Sequence, residues 1–248
     1  NLELGSWELV GFEGEVFDWR DQDGYADAFA ALVAHLRIST LGVEGQVMRV
    51  FVHHALLAAQ PSLKIVDAER EISGLRMIKT KDDIAALQAA IDISERALHR
   101  ALNGIKLGQT EKQIEQTLIK ALFDEGADGL SFDPIVAAGD GSARLAVTRA
   151  GVTAHQIDDC VTRVLEASPY ADRIRTKTGH GLGREVHEAP YIVRGNQMPL
   201  PAGTVYTNEP GLYEIGNFGV RIEDDVLVTE DGYETLTHFP KELMVISC

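Results

Sequence analysis

A chain of 248 residues with 45% hydrophobic and 25% charged content is long enough to bury one large core or two unequal ones, and its composition excludes disordered or collagen-like chains. A formal charge of -15 repels phosphate backbones and anionic lipid, which excludes nucleic acid or a membrane as the main partner. The apolar runs fall far short of the roughly 20 residues needed to cross a bilayer, and no secretory leader pattern stands out. Two cysteines, Cys160 and Cys248, give no disulfide framework, so a reducing, cytoplasmic setting is expected.

Residues 1–72 alternate extended and helical patterns in the manner of a small α/β domain. Trp7, Leu9 and Val10 with Val16 and Phe17 suggest strands. Helices are expected over 26–36 and 47–59, with short strands at 40–43 and 63–66. The pattern is already under way at Asn1, so a partial N-terminal domain is expected.

A second domain is expected over residues 73–248. Thr80 is a plausible N-cap with Asp83 three residues on, and Ile84, Leu87, Ile91, Leu98 and Leu102 recur at threes and fours; this predicts a long amphipathic helix over 81–102, ended by Asn103-Gly104. A helix from Thr110 carries Ile114, Leu118 and Leu122 and stops near Gly126, followed by strand-like sequence over 132–138. Another runs from Thr153 through Ile157, Val161 and Leu165. From Thr178 the chain is Gly-rich and β-like, with strands expected at 204–207, 220–229 and 233–236. They are separated by turns at 216–219 and at Asp231-Gly232.

Gly108, Thr110, Gln113, Ile114 and Leu122 recur at a constant offset as Gly151, Thr153, Gln156, Ile157 and Leu165. A duplicated unit should carry similar hairpins after both copies of the helix. Extensive β-like sequence follows only the second copy, and the second lacks a counterpart of the long helix before the first. On the order of 60 residues are therefore expected to be absent near 143/144.

The chemistry lies in the last 70 or so residues. His180 sits between glycines in Gly179-His180-Gly181, where the backbone can approach a ligand closely. His187 and Glu188 follow, then Glu209 in Asn208-Glu209-Pro210-Gly211, then Glu223 in Arg221-Ile222-Glu223-Asp224-Asp225. Alternation along one strand would place Arg221, Glu223 and Asp225 on one face. An imidazole with two carboxylates suits Mn, Co, Fe or Zn. His53, His54, His99, His155 and His238 read as structural or surface residues.

GHGLGREVHEAPY, NEPGLY and GVRIEDDVLVTEDGYETLT with a closing FPKEL resemble the pita-bread metallopeptidases, in the branch of aminopeptidase P and prolidase. LRMIKTKDDIAAL and SFDPIVAAG share the likeness less sharply. The resemblance implies an α+β pita-bread catalytic domain with internal duplication, preceded by a partial creatinase-like α/β domain. It implies a homodimer that hydrolyses the bond between an N-terminal residue and proline in a small peptide. Two divalent ions, manganese before cobalt or zinc, would be held in part by His180, Glu209 and Glu223. Glu209 would act as general base towards a hydroxide shared by the ions, and His187 would stabilise the oxyanion. Arg221 and Tyr213 match positions lining the site, with His187 also touching substrate.

This chain departs from the family pattern in three places. The two family aspartates and a first-half histidine are missing, within the block that the repeat marks as absent. Position 176, often histidine in this branch, is Thr176. A non-catalytic scaffold that has lost the aspartate ligands, or a creatinase-like non-peptidase hydrolase, stays open beside the peptidase.

Overall fold

The computed structural model describes residues 14–132, 147–216 and 219–242. The chain divides into two compact units, residues 1–72 and 73–248.

In the first unit, α1 (Ala26–Leu36) and α2 (Val50–Ala59) alternate with β1 (Thr40–Val43) and β2 (Lys64–Asp67), which pair in parallel. Phe29, Val33, Ala55, Leu56 and Leu63 form the core. The helix expected from residue 47 begins at Val50, because residues 45–47 fold as a turn. Val16 and Phe17 form no strand; the Phe17 ring instead packs on His35 at 5.5 Å. Trp7, Leu9 and Val10 lie outside the described residues. The helix α3 (Glu69–Met77) was not anticipated.

The second unit carries α4 (Lys81–Asn103), α5 (Glu111–Asp124) and α6 (Ala154–Glu166), and each begins with the same device. The side chains of Thr80, Thr110 and Thr153 accept the backbone N–H of Asp83, Gln113 and Gln156, and those three side chains bond back to the N-cap backbone. Such capping boxes satisfy donors that a helix start leaves open. Gly108 and Gly151, two residues before their caps, have φ of +87° and +83°, a region open to glycine at little cost. The sequence repeat is thus a repeated helix entry. The strand-like residues 133–138 and the junction at 143/144 lie outside the described residues.

The strands β3 (Gly179–Gly181), β4 (Glu188–Ile192), β5 (Val205–Asn208), β8 (Asp224–Val228) and β9 (Tyr233–Thr235) form an antiparallel sheet ordered β4-β3-β5-β8-β9. Alternation sends Tyr206, Val226 and Val228 to one face, against Ala154 and Ile157 of α6. Val205 and Leu227 go to the other face, where Ile91, Leu87 and Ile84 of α4 cover them. A sheet covered on both faces holds β3 and the end of β5 firmly. A separate hairpin, β6 (Gly211–Tyr213) with β7 (Gly219–Arg221), follows β5. The single strand expected over 220–229 is therefore two strands in two sheets, broken at Ile222-Glu223. Arg221, Glu223 and Asp225 do not share one face of a continuous strand. Of the expected turn at 216–219, residues 217 and 218 lie outside the described residues, as do Leu243 of FPKEL and Cys248.

Candidate active site

His180 occupies the middle of β3, and its position is set by close backbone packing. A Cβ at Gly179 would run into the carbonyl of Thr207, and one at Gly181 into the carbonyl of Ala189. The backbone N–H of His180 donates to Thr207 Oγ1 at 3.1 Å. Its Nδ1 lies 2.9 Å from the Gly181 carbonyl and so carries a proton, which turns Nε2 towards Glu209 Oε1 at 3.0 Å.

Glu209 follows β5 directly, and its backbone N–H donates to Thr178 O at 2.7 Å. Both of its carboxylate oxygens are engaged. Oε1 meets His180 and, at 3.3 Å, the Thr207 hydroxyl; Oε2 accepts from Arg221 Nη1 at 2.8 Å. Both His180 and Glu209 are buried, whereas Arg221 is partly exposed. Behind them the buried Asp158 of α6 accepts the Thr178 backbone N–H at 3.2 Å.

Burial pulls the His180 pKa down, but bonding to Glu209 and to the Gly181 carbonyl outweighs it, leaving His180 above its ordinary value. Burial pushes Glu209 up; His180 and Arg221 more than offset this and hold it below the usual range. Solvent still reaches Glu223, yet the surrounding protein and the Glu209 charge push its carboxyl up. Asp225 is pushed up to about 7 by burial and by the carboxylates of Glu223 and Asp224.

His187 is exposed, and its ring centroid lies 4.2 Å from that of His180. Partial burial, then the charges of His180 and Lys177, lower its pKa. The Arg221 guanidinium lies 5.9 Å from the centre of the Tyr213 ring. A side chain at Gly211 or Gly219 would collide with that ring. His180, Glu209, Arg221, His187 and Tyr213 are thus linked by direct contacts, with Glu223 coupled to His180 and Glu209 through its charge. Sequence reasoning missed Thr207, Asp158 and Lys177, which carry no motif of their own.

The donor chemistry of His180 and Glu209 suits a divalent cation, but the donor count does not. Among the described residues, no three His, Cys, Asp or Glu side chains form a group able to hold a metal ion. A firmly held ion needs about four ligands. Asn208 Oδ1, next to Glu209, and Thr176 Oγ1 are buried without a hydrogen-bond partner.

The profile of metallopeptidase family M24 matches residues 85–148 and 142–230, and that of the creatinase/prolidase N-terminal domain matches residues 7–78. The uncharacterized peptidase YqhT of Bacillus subtilis (strain 168) is 28% identical across 88% of this chain and 78% of its own length. That alignment runs over 275 positions, whereas 88% of a 248-residue chain fills about 218, so about 57 positions have no counterpart here. A prolidase from Thermococcus sibiricus superimposes with a TM-score of 0.87 at 27% identity, over 97% of this chain and 82% of that one. An X-Pro aminopeptidase from Thermotoga maritima MSB8 does so at 0.80 and 28% identity, over 94% and 81%. The fold is accordingly the pita-bread catalytic fold preceded by a creatinase-type N-terminal domain. The chain belongs to metallopeptidase family M24.

Proposed function

We propose that this protein is a proline-directed exopeptidase, cleaving the bond between an N-terminal residue and proline in a small peptide. The observation that carries the reading is the buried His180-Glu209 pair, anchored by Arg221 at 2.8 Å and faced by the His187 ring. Its likeness to a prolidase and an X-Pro aminopeptidase supports the substrate class.

Each residue has a part in this reading. Glu209, held ionised by His180 and Arg221, takes a proton from the attacking water and delivers it to the proline nitrogen as the C–N bond breaks. His187, exposed at the mouth, donates to the oxygen of the scissile carbonyl as negative charge grows there. Arg221 fixes Glu209, and Tyr213 lines the cleft beside Arg221. His180, Glu209 and Glu223 would be three of the five ligands that the family resemblance implies for two divalent ions, manganese before cobalt or zinc, whose chemistry would be that of a Lewis acid. The remaining two, both aspartates, would belong to the roughly 57 positions without counterpart. The two matches to the family profile overlap at 142–148, which supports a junction near 143/144. In this reading the protein works as a cytoplasmic homodimer.

That shortfall favours a second reading, a non-catalytic scaffold whose cleft binds the same peptides. The experiment is to incubate the protein with an Xaa-Pro dipeptide and a longer Xaa-Pro peptide, with manganese and with chelator, and to follow free amino acid and calorimetric binding. Manganese-dependent release that Glu209→Gln lowers about 1000-fold supports the peptidase. Binding without release supports the scaffold, and chelator-insensitive release overturns the metal ligand set.

A further inference from the structure

Lys79 and Glu188 form an ion pair at 2.9 Å with side chains only 3% and 5% exposed, 109 residues apart in sequence. A pair removed from water to this degree contributes little net stability on its own, yet it strongly resists being broken. Its surroundings show what it holds. The Lys79 backbone N–H donates to Gly203 O at 2.9 Å, and Ile78 bridges Thr204 just before β5. On its other side stands Thr80, the N-cap of α4. With its backbone fixed on both sides, Lys79 sends Nζ to Arg76 O at 2.8 Å and to Glu188 Oε2.

Glu188 passes this constraint to the loop before it. Its Oε1 accepts the Glu185 backbone N–H at 3.0 Å, and the Gly183 N–H donates to Glu185 O at 3.2 Å. Residues 183–188 therefore wrap around one carboxylate. A Cβ at Gly183 would meet Glu188 Oε2 at 2.6 Å and Lys79 Nζ at 2.9 Å, so the ion pair fills the space that a side chain there would need. The residue immediately before Glu188 is His187, whose own ring is exposed and stands 4.2 Å from that of His180.

We propose that Lys79 and Glu188 are positioning residues for His187: their buried ion pair fixes the 183–188 loop so that the imidazole faces His180 and Glu209. The catalytic part of this inference rests on the proposed peptidase reading, whereas the placement of the loop does not.

Amide exchange tests the placement and peptide turnover tests its consequence, on the whole chain. In Lys79→Met, the amides of Gly183 and Glu185 exchange at least about tenfold faster while Val228 in β8 and Leu236, bonded to Asp225 O just after β9, stay within about twofold; Lys79→Arg restores protection. On an Xaa-Pro dipeptide, Lys79→Met lowers kcat by about 10- to 100-fold with KM nearly unchanged. Lys79→Met combined with His187→Ala falls no further than His187→Ala alone. Unchanged exchange at Glu185, exchange that quickens equally throughout the sheet, or losses that multiply in the double variant would each overturn the proposal. If the parent chain neither binds nor cleaves the peptide, the peptidase reading fails and the exchange result alone decides whether the pair holds the loop.

Discussion

Arg221 Nη1 lies 2.8 Å from Glu209 Oε2, while the opposite oxygen of the same carboxylate meets His180 Nε2 at 3.0 Å. A buried carboxylate is thereby held between two nitrogen donors from separate elements, the β6–β7 hairpin and β3. Burial alone would favour its neutral form; the two partners reverse that preference.

Replacing Arg221 by Met leaves burial opposed only by His180 and, more weakly, by the Thr207 hydroxyl. Without the Arg221 charge the Glu209 pKa is expected to rise, followed by carboxylate carbon NMR in the presence of chelator. The acid limb of any pH–rate profile should shift upward with it. A Glu209 titration that does not move would show that Arg221 contributes no useful field at this site.

The His180-Glu209 contact sets a pH window for stability. The folded His180 pKa is raised, so its contribution is fully present below the ordinary 6.5 and is lost as pH rises through the higher folded value. The folded Glu209 pKa is lowered, so its contribution is fully present above the ordinary 4.5 and is lost as pH falls through the lower folded value. The contact therefore supports the fold most between about pH 4.5 and 6.5. Thermal unfolding with chelator should show Glu209→Gln losing most relative to the parent inside that window. An equal loss at pH 5.5 and pH 9 would contradict the assignment.

Asp158 is buried on α6 and accepts the backbone N–H of Thr178, itself buried at the entry to β3. Asp158→Ala removes the acceptor and leaves that donor without a partner, at a cost of about 1–3 kcal/mol. Denaturant unfolding measures the loss, and amide exchange at Thr178 should quicken more than exchange at Val226 on the far side of β5. If the two amides respond alike, Asp158 supports the domain generally rather than the His180 strand.

What could be read in the sequence was local. The threonine caps and the periodicity behind them placed the starts of α4, α5 and α6, and the repeated Gly-x-Thr corresponds to the same left-handed glycine and capping box in both copies. His180 and Glu209 could be singled out because glycines and a Glu-Pro-Gly turn flank them. The break at Ile222-Glu223 was hidden because the residues around it, Val220, Ile222 and Val226, alternate as one strand would. Whether such a run stays in one sheet depends on the hairpin that β7 makes with β6, a tertiary choice. The Lys79-Glu188 pair joins positions 109 residues apart, and a single sequence carries no sign of such a pairing. The loop holding His187 was therefore visible only as a motif, without the ion pair inside it.

The tightest packing in the site is at Gly179, where a Cβ would overlap the Thr207 carbonyl and press on Thr207 Oγ1 at 2.9 Å. That carbonyl belongs to the backbone of β5, which pairs with β8 through Thr207↔Asp225, so it cannot swing aside as a flexible side chain would. Gly179→Ala must instead push β3 away from β5, which also moves His180 off its Thr207 contact. Overpacking of this kind costs about 1–3 kcal/mol or more. Gly232→Ala serves as the control, since a Cβ there meets only Thr229 Oγ1 at an ordinary 3.9 Å. Calorimetric unfolding should show a large loss for Gly179→Ala and almost none for Gly232→Ala. Equal and small losses would mean that β3 can shift freely, and His180 could then not be held at 3.0 Å from Glu209 by the packing described here.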